Sequence, residues 1–196
     1  MKILVVADEE SRRIWDFYQP GMLAEYDLIL SCGDLSSDYL QFLVTMSKAP
    51  VVYVHGNHDA NYEQKPPLGC LSADGKLVKV KGLRILGLGG AMKYREGPHL
   101  YTDREQTRRA KKLRALLWWH KGFDILLTHA PAKDLHDGDD IAHKGFSVFT
   151  RLIDKYHPKY FLHGHLHKNY GGKYCQLDQR GETTIVNTYG TYVIDL

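Results

Sequence analysis

Val51-Val52-Tyr53-Val54-His55-Gly56-Asn57-His58-Asp59 is the most informative stretch of the chain: a β-rich apolar run stops at a glycine, and an amide, an imidazole and a carboxylate come directly after it. Short continuous apolar runs bounded by turn residues indicate strands buried on both faces, as in sheets covered by other layers. The same grammar recurs along the chain. Strands are predicted over 2–7, 28–31, 51–55, 77–80, 83–87, 124–128 and 160–163, with 173–178, 183–187 and 192–195 closing as an antiparallel meander. Stretches of helical period between them predict helices over 11–18, 37–48, 102–119 and 146–156. The third helix opens with a capping box, Thr102-Asp103-Arg104-Glu105. Its apolar positions Ala110, Leu113, Leu116 and Leu117 share one side, while Arg104, Arg108, Arg109, Lys111, Lys112 and Arg114 crowd the remainder. The expectation is an α/β fold with two sheets, in one domain spanning residues 1–196.

The residues at the strand exits carry the chemistry. Asp8 comes after the first strand, Gly33-Asp34 after the second, Gly56-Asn57-His58-Asp59 after the third, His129 after the strand at 124–128, and Gly164-His165-Leu166-His167 after the strand at 160–163. In open α/β sheets the binding crevice lies at the carboxyl ends of the strands, so these five exits can converge on one site. A donor set of oxygen and imidazole without thiolate suits manganese, iron, zinc or magnesium. The glycines allow sharp turns and close backbone approach. Spacing of two in His165 and His167 puts both imidazoles on one side of an extended segment.

Taken in order, these motifs resemble the signature of calcineurin-like metallophosphoesterases, and they span residues 8 to 167. The resemblance implies a four-layer αββα sandwich of two mixed β-sheets flanked by helices, with a dinuclear metal site at the carboxyl ends of the strands. It also implies that Asp34 bridges two divalent or mixed-valence ions, one held by Asp8 and His167, the other by Asn57, His129 and His165. Metal-bound hydroxide would attack phosphorus in line. His58, next to Asn57 but not a ligand, is the candidate general acid, with Asp59 or Asp38 orienting it. One position departs from the family. The usual Asp-x-His of the first motif is Asp8-Glu9-Glu10 here, so Glu10 stands where an imidazole would ligate. An anionic oxygen ligand there favours manganese, iron or magnesium over zinc, with manganese or iron expected first and zinc, nickel or magnesium admitted.

Composition narrows the rest. The chain has 196 residues, 43% of them hydrophobic, with 26 Lys+Arg against 23 Asp+Glu and a formal net charge of +3, which excludes a disordered or fibrous chain. Eleven histidines are the surplus that the metal motifs partly account for. The apolar run near Met1 is too short for a signal-peptide core, no membrane span is expected, and Cys32, Cys70 and Cys175 lack metal or disulfide spacing, so a cytoplasmic location is expected. The basic third helix reads as a solvated face, nucleic acid is not expected as a partner, and Trp118-Trp119 are expected in the core or at a homo-oligomer contact. His163 is expected to point away from the ligands, and the segments 89–95 and 134–143 are candidates for the rim of the site. The functional expectation is a metal-dependent phosphohydrolase, foremost a phosphodiesterase of small phosphorylated substrates, because no long insertion interrupts the motifs. A phosphomonoesterase or protein phosphatase of the same fold is the alternative. The Gly-Asp-x-x-Asp-Arg run of the protein phosphatases is absent after Gly33-Asp34. An interaction scaffold with weak or no catalysis is the reading from another class.

Overall fold

A computed structural model describes residues 1–167 and 174–196. In chain order its elements are β1 (Lys2–Ala7), α1 (Arg12–Trp15), β2 (Leu28–Ser31), α2 (Ser37–Met46), β3 (Val51–Tyr53), β4 (Leu71–Ser72), β5 (Lys76–Val80), β6 (Leu83–Leu88), β7 (Ala91–Met92) and β8 (Leu100–Tyr101). Then come α3 (Asp103–Lys112), α4 (Arg114–Trp119), β9 (Ile125–Thr128), α5 (Ser147–Tyr156), β10 (Tyr160–His163), β11 (Leu177–Arg180), β12 (Thr183–Asn187) and β13 (Gly190–Asp195). One sheet has the order β13-β1-β2-β3-β4, parallel except for β13; the other has the order β11-β12-β10-β9-β6-β5, parallel in its centre and antiparallel at both edges.

Side-chain alternation along the strands builds the layers. Ile3, Val5 and Ala7 of β1 join Leu28, Leu30 and Val52 in a core shared with Ile85, Ile125, Leu127 and Leu162 of the second sheet. The intervening Leu4 and Val6 face the other way and pack with Tyr39, Leu40 and Leu43 of α2. Leu86, Leu126 and Phe161 of the second sheet pack likewise against Leu117 of α4 and Phe149, Leu152 and Ile153 of α5. With both faces of each sheet covered, the strands can be apolar throughout, and the result is the expected αββα sandwich of two mixed sheets. The capping box is formed: Thr102 Oγ1 accepts from the Glu105 N–H and the Glu105 carboxylate accepts from the Thr102 N–H. Among the described residues no helix is long and apolar enough to cross a membrane.

Five expectations change. The carboxyl-terminal strands do not form a meander: β11 and β12 pair in the second sheet, whereas β13 crosses to the first and pairs antiparallel with β1. The Thr188 N–H still donates to the His163 carbonyl at 2.6 Å, so the chain has not turned back there, and Gly190 at φ +80° redirects it. Of the strand expected over 173–178, Lys173 lies outside the described residues, and pairing begins at Leu177. The helix at 102–119 divides at Leu113 (φ −91°, ψ −3°), whose N–H donates to the Ala110 carbonyl three residues back. Trp118 and Trp119 are 78% and 75% exposed, which removes the core alternative and leaves the homo-oligomer contact. The helix expected at 11–18 shrinks to a single turn ahead of Pro20-Gly21.

Phe149 lies fully buried where α5 meets Phe161. Replacing it with alanine is expected to cost about 3–5 kcal/mol of unfolding free energy in urea denaturation, with unchanged m-value.

Candidate metal centre

The site forms where the exits of both sheets meet. Asp8, Asp34 and Asn57 come from the ends of β1, β2 and β3 in the first sheet; His129, His165 and His167 come from the ends of β9 and β10 in the second. Three of these residues sit in left-handed backbone, Asp8 at φ +63°, Asp34 at φ +56° and His165 at φ +70°. Such conformations in non-glycine residues are held only where surrounding structure insists on them. Two glycines make room for the carboxylates. A Cβ on Gly56 would lie 2.0 Å from Asp34 Oδ1, and one on Gly164 would lie 2.4 Å from Asp8 Oδ2.

His129 is fully buried and its Nδ1–H donates to the Cys32 carbonyl at 2.9 Å. Its Nε2 faces Asn57 Oδ1 at 3.0 Å and Asp34 Oδ2 at 3.3 Å, placed to donate to them when the ring is protonated and to ligate a metal when it is not. His165 donates from Nε2 to the Ala142 carbonyl at 2.8 Å, which leaves Nδ1 as its ligand atom. Ligand atoms of Asp34, His129 and His165 all lie within 4.8 Å of one another. Beside them, Asp8 is buried, accepts from the His165 backbone N–H at 3.0 Å, and has His167 Nε2 3.5 Å from its Oδ1. The convergence of carboxylate and amide oxygens with imidazole nitrogens in one largely buried place fits hard or borderline divalent metals.

The electrostatics state the same need. Burial alone would lower the His129 pKa, but the Asp34 charge and hydrogen bond outweigh it and raise the value to about 9. Burial opposes ionisation of Asp34 too, yet His129 holds its carboxyl well below the usual range. His165 is pushed down to about 3, first by burial and then by repulsion from His129. Asp59 is raised to about 6 by burial and by the Asp34 charge.

The other candidates take distinct places. His58 is exposed at the rim, and its backbone N–H donates to Asp34 Oδ1 at 2.8 Å. Asp59 is buried and accepts from the N–H groups of Asp34 and Gly56 at 2.9 and 2.7 Å, so it ties two ligand loops together. Asp38 pairs with Lys65 at 2.5 Å. Glu10 Oε1 accepts from the Ser36 N–H at 3.1 Å, just ahead of α2. His163 is buried behind the ligands against His136. From the rim segment 134–143 the Ala142 carbonyl fixes His165, while Lys93 of the other pairs with Glu96 at 2.8 Å.

One network escaped the sequence reading. Asp74 is nearly buried and accepts from His55 Nδ1 at 2.8 Å, the Gly89 N–H at 2.8 Å and Arg109 Nη2 at 2.5 Å. It fastens the residue preceding Gly56 to the end of β6 and to α3. Ala73-Asp74-Gly75 looks like any hairpin turn, and its partners lie up to 35 residues away, so no local signal marks it.

A family model described as calcineurin-like phosphoesterase matches residues 1–169. The chain belongs to the calcineurin-like phosphoesterase family. Its members are dinuclear-metal-dependent hydrolases of phosphoesters, and the convergent ligand group around Asp34 is in accord with that dependence. One solved structure is similar with TM-score 0.68 at 14% identity, covering 96% of this chain and 90% of that one. The crystal structure of TT1561 of Thermus thermophilus is similar with TM-score 0.61 at 17% identity, covering 96% of this chain and 89% of that one. GAP50, described as the anchor in the inner membrane complex of Plasmodium, is similar with TM-score 0.53 at 10% identity, covering 96% of this chain and 71% of that one. At these identities the likeness concerns the fold. No curated protein matches the chain significantly.

Burial opposes ionisation of Asp74, but the His55 hydrogen bond and the Arg109 charge lower its pKa to about 2. The stabilisation is therefore complete above the ordinary carboxylate range and disappears as pH falls toward 2. Asp74→Asn is expected to flatten the acid limb of the stability profile between about pH 4 and pH 2 by on the order of 2 kcal/mol relative to the parent, measured by urea unfolding at each pH.

Proposed function

We propose that this phosphohydrolase is a phosphodiesterase of small phosphodiesters or nucleotides. The observation that carries the reading is the contrast at the centre: ligands Asp8, Asn57 and His129 are buried, while His58 stands exposed at the rim, one residue from Asn57 and hydrogen-bonded through its backbone to Asp34. When bound, two divalent ions supply Lewis-acid activation of water and of the phosphoryl oxygens. Asp8, Asp34, Asn57, His129, His165 and His167 would hold these ions. The His58 imidazole would pass a proton to the leaving oxygen, the step a diester's alkoxide most requires. Asp59 acts as a positioning residue through the Gly56 and Asp34 amides.

Glu10 completes the ligand set in this reading. One of its carboxylate oxygens is engaged by the Ser36 N–H, and a carboxylate offers a second. An oxygen-rich set favours manganese or iron. Cys32, Cys70 and Cys175 are unpaired, which suits the reducing cytoplasm we take as its location.

With manganese and bis(p-nitrophenyl) phosphate, the parent protein should turn over and Asp34→Asn should abolish metal-dependent turnover, while His58→Ala should lower kcat by about 10²–10⁴-fold on a diester with an alkoxide leaving group, and less on the p-nitrophenyl ester, with metal content retained. Hydrolysis of p-nitrophenyl phosphate outpacing the diester would overturn the diesterase assignment. Glu10→His should shift metal preference toward zinc in competitive titration with manganese while thermal stability changes little; an unchanged profile removes Glu10 from the ligand set.

A further inference from the structure

The outer helical layer over the second sheet carries a surface that the phosphoesterase centre does not use. Between α4 and the end of α5 lies an open cavity of about 810 Å³, with Lys111, Lys112, Arg114, Lys121 and Lys155 on its walls and no carboxylate among its lining residues. Five of the chain's 26 Lys and Arg line this one cavity with no carboxylate beside them, so the local field is positive. Among the described residues none of these five forms an ion pair with a carboxylate. An adjoining cavity of about 420 Å³ continues the groove between α3 and α5 past Arg151, whose Nη2 donates to an uncharged partner, Thr107 Oγ1, at 3.1 Å.

Trp118 lines the same groove and is 78% exposed, and Tyr156 lines it from α5 with Lys155 Nζ 5.1 Å from its ring centroid. An indole left in water beside a row of cations is the combination that binds unpaired bases: the cations track the phosphates and the ring stacks on a base. We propose that this groove binds single-stranded polynucleotide. Cations on both walls of a concavity contact a strand lying between them, whereas a flat bilayer reaches one wall only. A duplex keeps its bases stacked internally and has none to offer Trp118. Cations on the exposed side of α3, Arg104, Arg108 and Lys112, succeed one another at a spacing of one turn and extend the track along the helix. The groove lies beside Lys121, at the amino end of β9, whereas the metal centre lies at the carboxyl end of that strand. Binding here is thus separate from catalysis and does not rest on the diesterase reading.

The test uses the full metal-loaded chain with fluorescein-labelled oligo(dT) of about twenty nucleotides, anisotropy read over a salt series, and gel electrophoresis after each titration to verify that the oligonucleotide is intact. Binding is expected with a slope of log K against log salt near −3, as four or five phosphate contacts require at about −0.7 each. Trp118→Ala, an exposed site whose loss leaves thermal unfolding unchanged, should weaken binding by roughly five- to a hundredfold. Lys121→Glu should weaken it and lower the slope. The proposal is overturned by absence of binding at 50 mM salt, by equal affinity of Trp118→Ala, or by polyglutamate competing as well as unlabelled oligo(dT). Sedimentation with phosphatidylserine vesicles while oligo(dT) stays unbound overturns it as well and assigns the surface to a membrane.

Discussion

Carboxylates and imidazoles able to hold a metal are crowded where the two sheets meet, and the architecture is organised around keeping them there. His129 Nε2 faces Asn57 Oδ1 and Asp34 Oδ2 because its only other nitrogen is committed to Cys32. The backbone that delivers these atoms is itself strained at Asp8, Asp34 and His165. At about 1–3 kcal/mol per strained residue, the three together are comparable with a sizeable part of the roughly 5–15 kcal/mol by which domains are stable. Only a rigid surround can hold such an arrangement.

That surround has two parts. The apolar layer between the sheets, from Ile3 and Leu30 to Ile125 and Leu162, sets the distance between the strand ends. Close-packed interiors transmit displacement, so this layer sets the metal site's dimensions as well as the stability of the fold. Polar clamps then lock the loops: Asp59 across the Gly56 and Asp34 amides, Ala142 on His165, and Asp74 across His55, Gly89 and Arg109.

The sandwich and its ligands are legible in the sequence because both are written locally. Apolar runs of strand length announce layers covered on both sides, and each ligand comes directly after such a run, so Asp34, Asn57, His129 and His165 stand out without any knowledge of distances. The features that stay hidden depend on remote geometry. The crossing of β13 to the first sheet turns on Thr188 still pairing with His163, and the division of the third helix at Leu113 falls inside an otherwise regular helical pattern. Asp74 gives no sign because a turn aspartate looks the same with or without an arginine from a distant helix beside it. The place of Asp38 is likewise decided by Lys65, a lysine whose nearness is purely tertiary.

The candidate ligand set draws three residues from each sheet. Sliding or separating the sheets therefore dismantles the site, and the unfolded chain offers nothing comparable to an ion. Folding and metal occupancy become a single linked equilibrium, in which free metal at a hundred times the dissociation constant adds about 2.7 kcal/mol per independent site to the folded state. For this protein the supply of metal in its surroundings acts as a thermodynamic variable of folding, setting how long the chain survives as well as how fast it works.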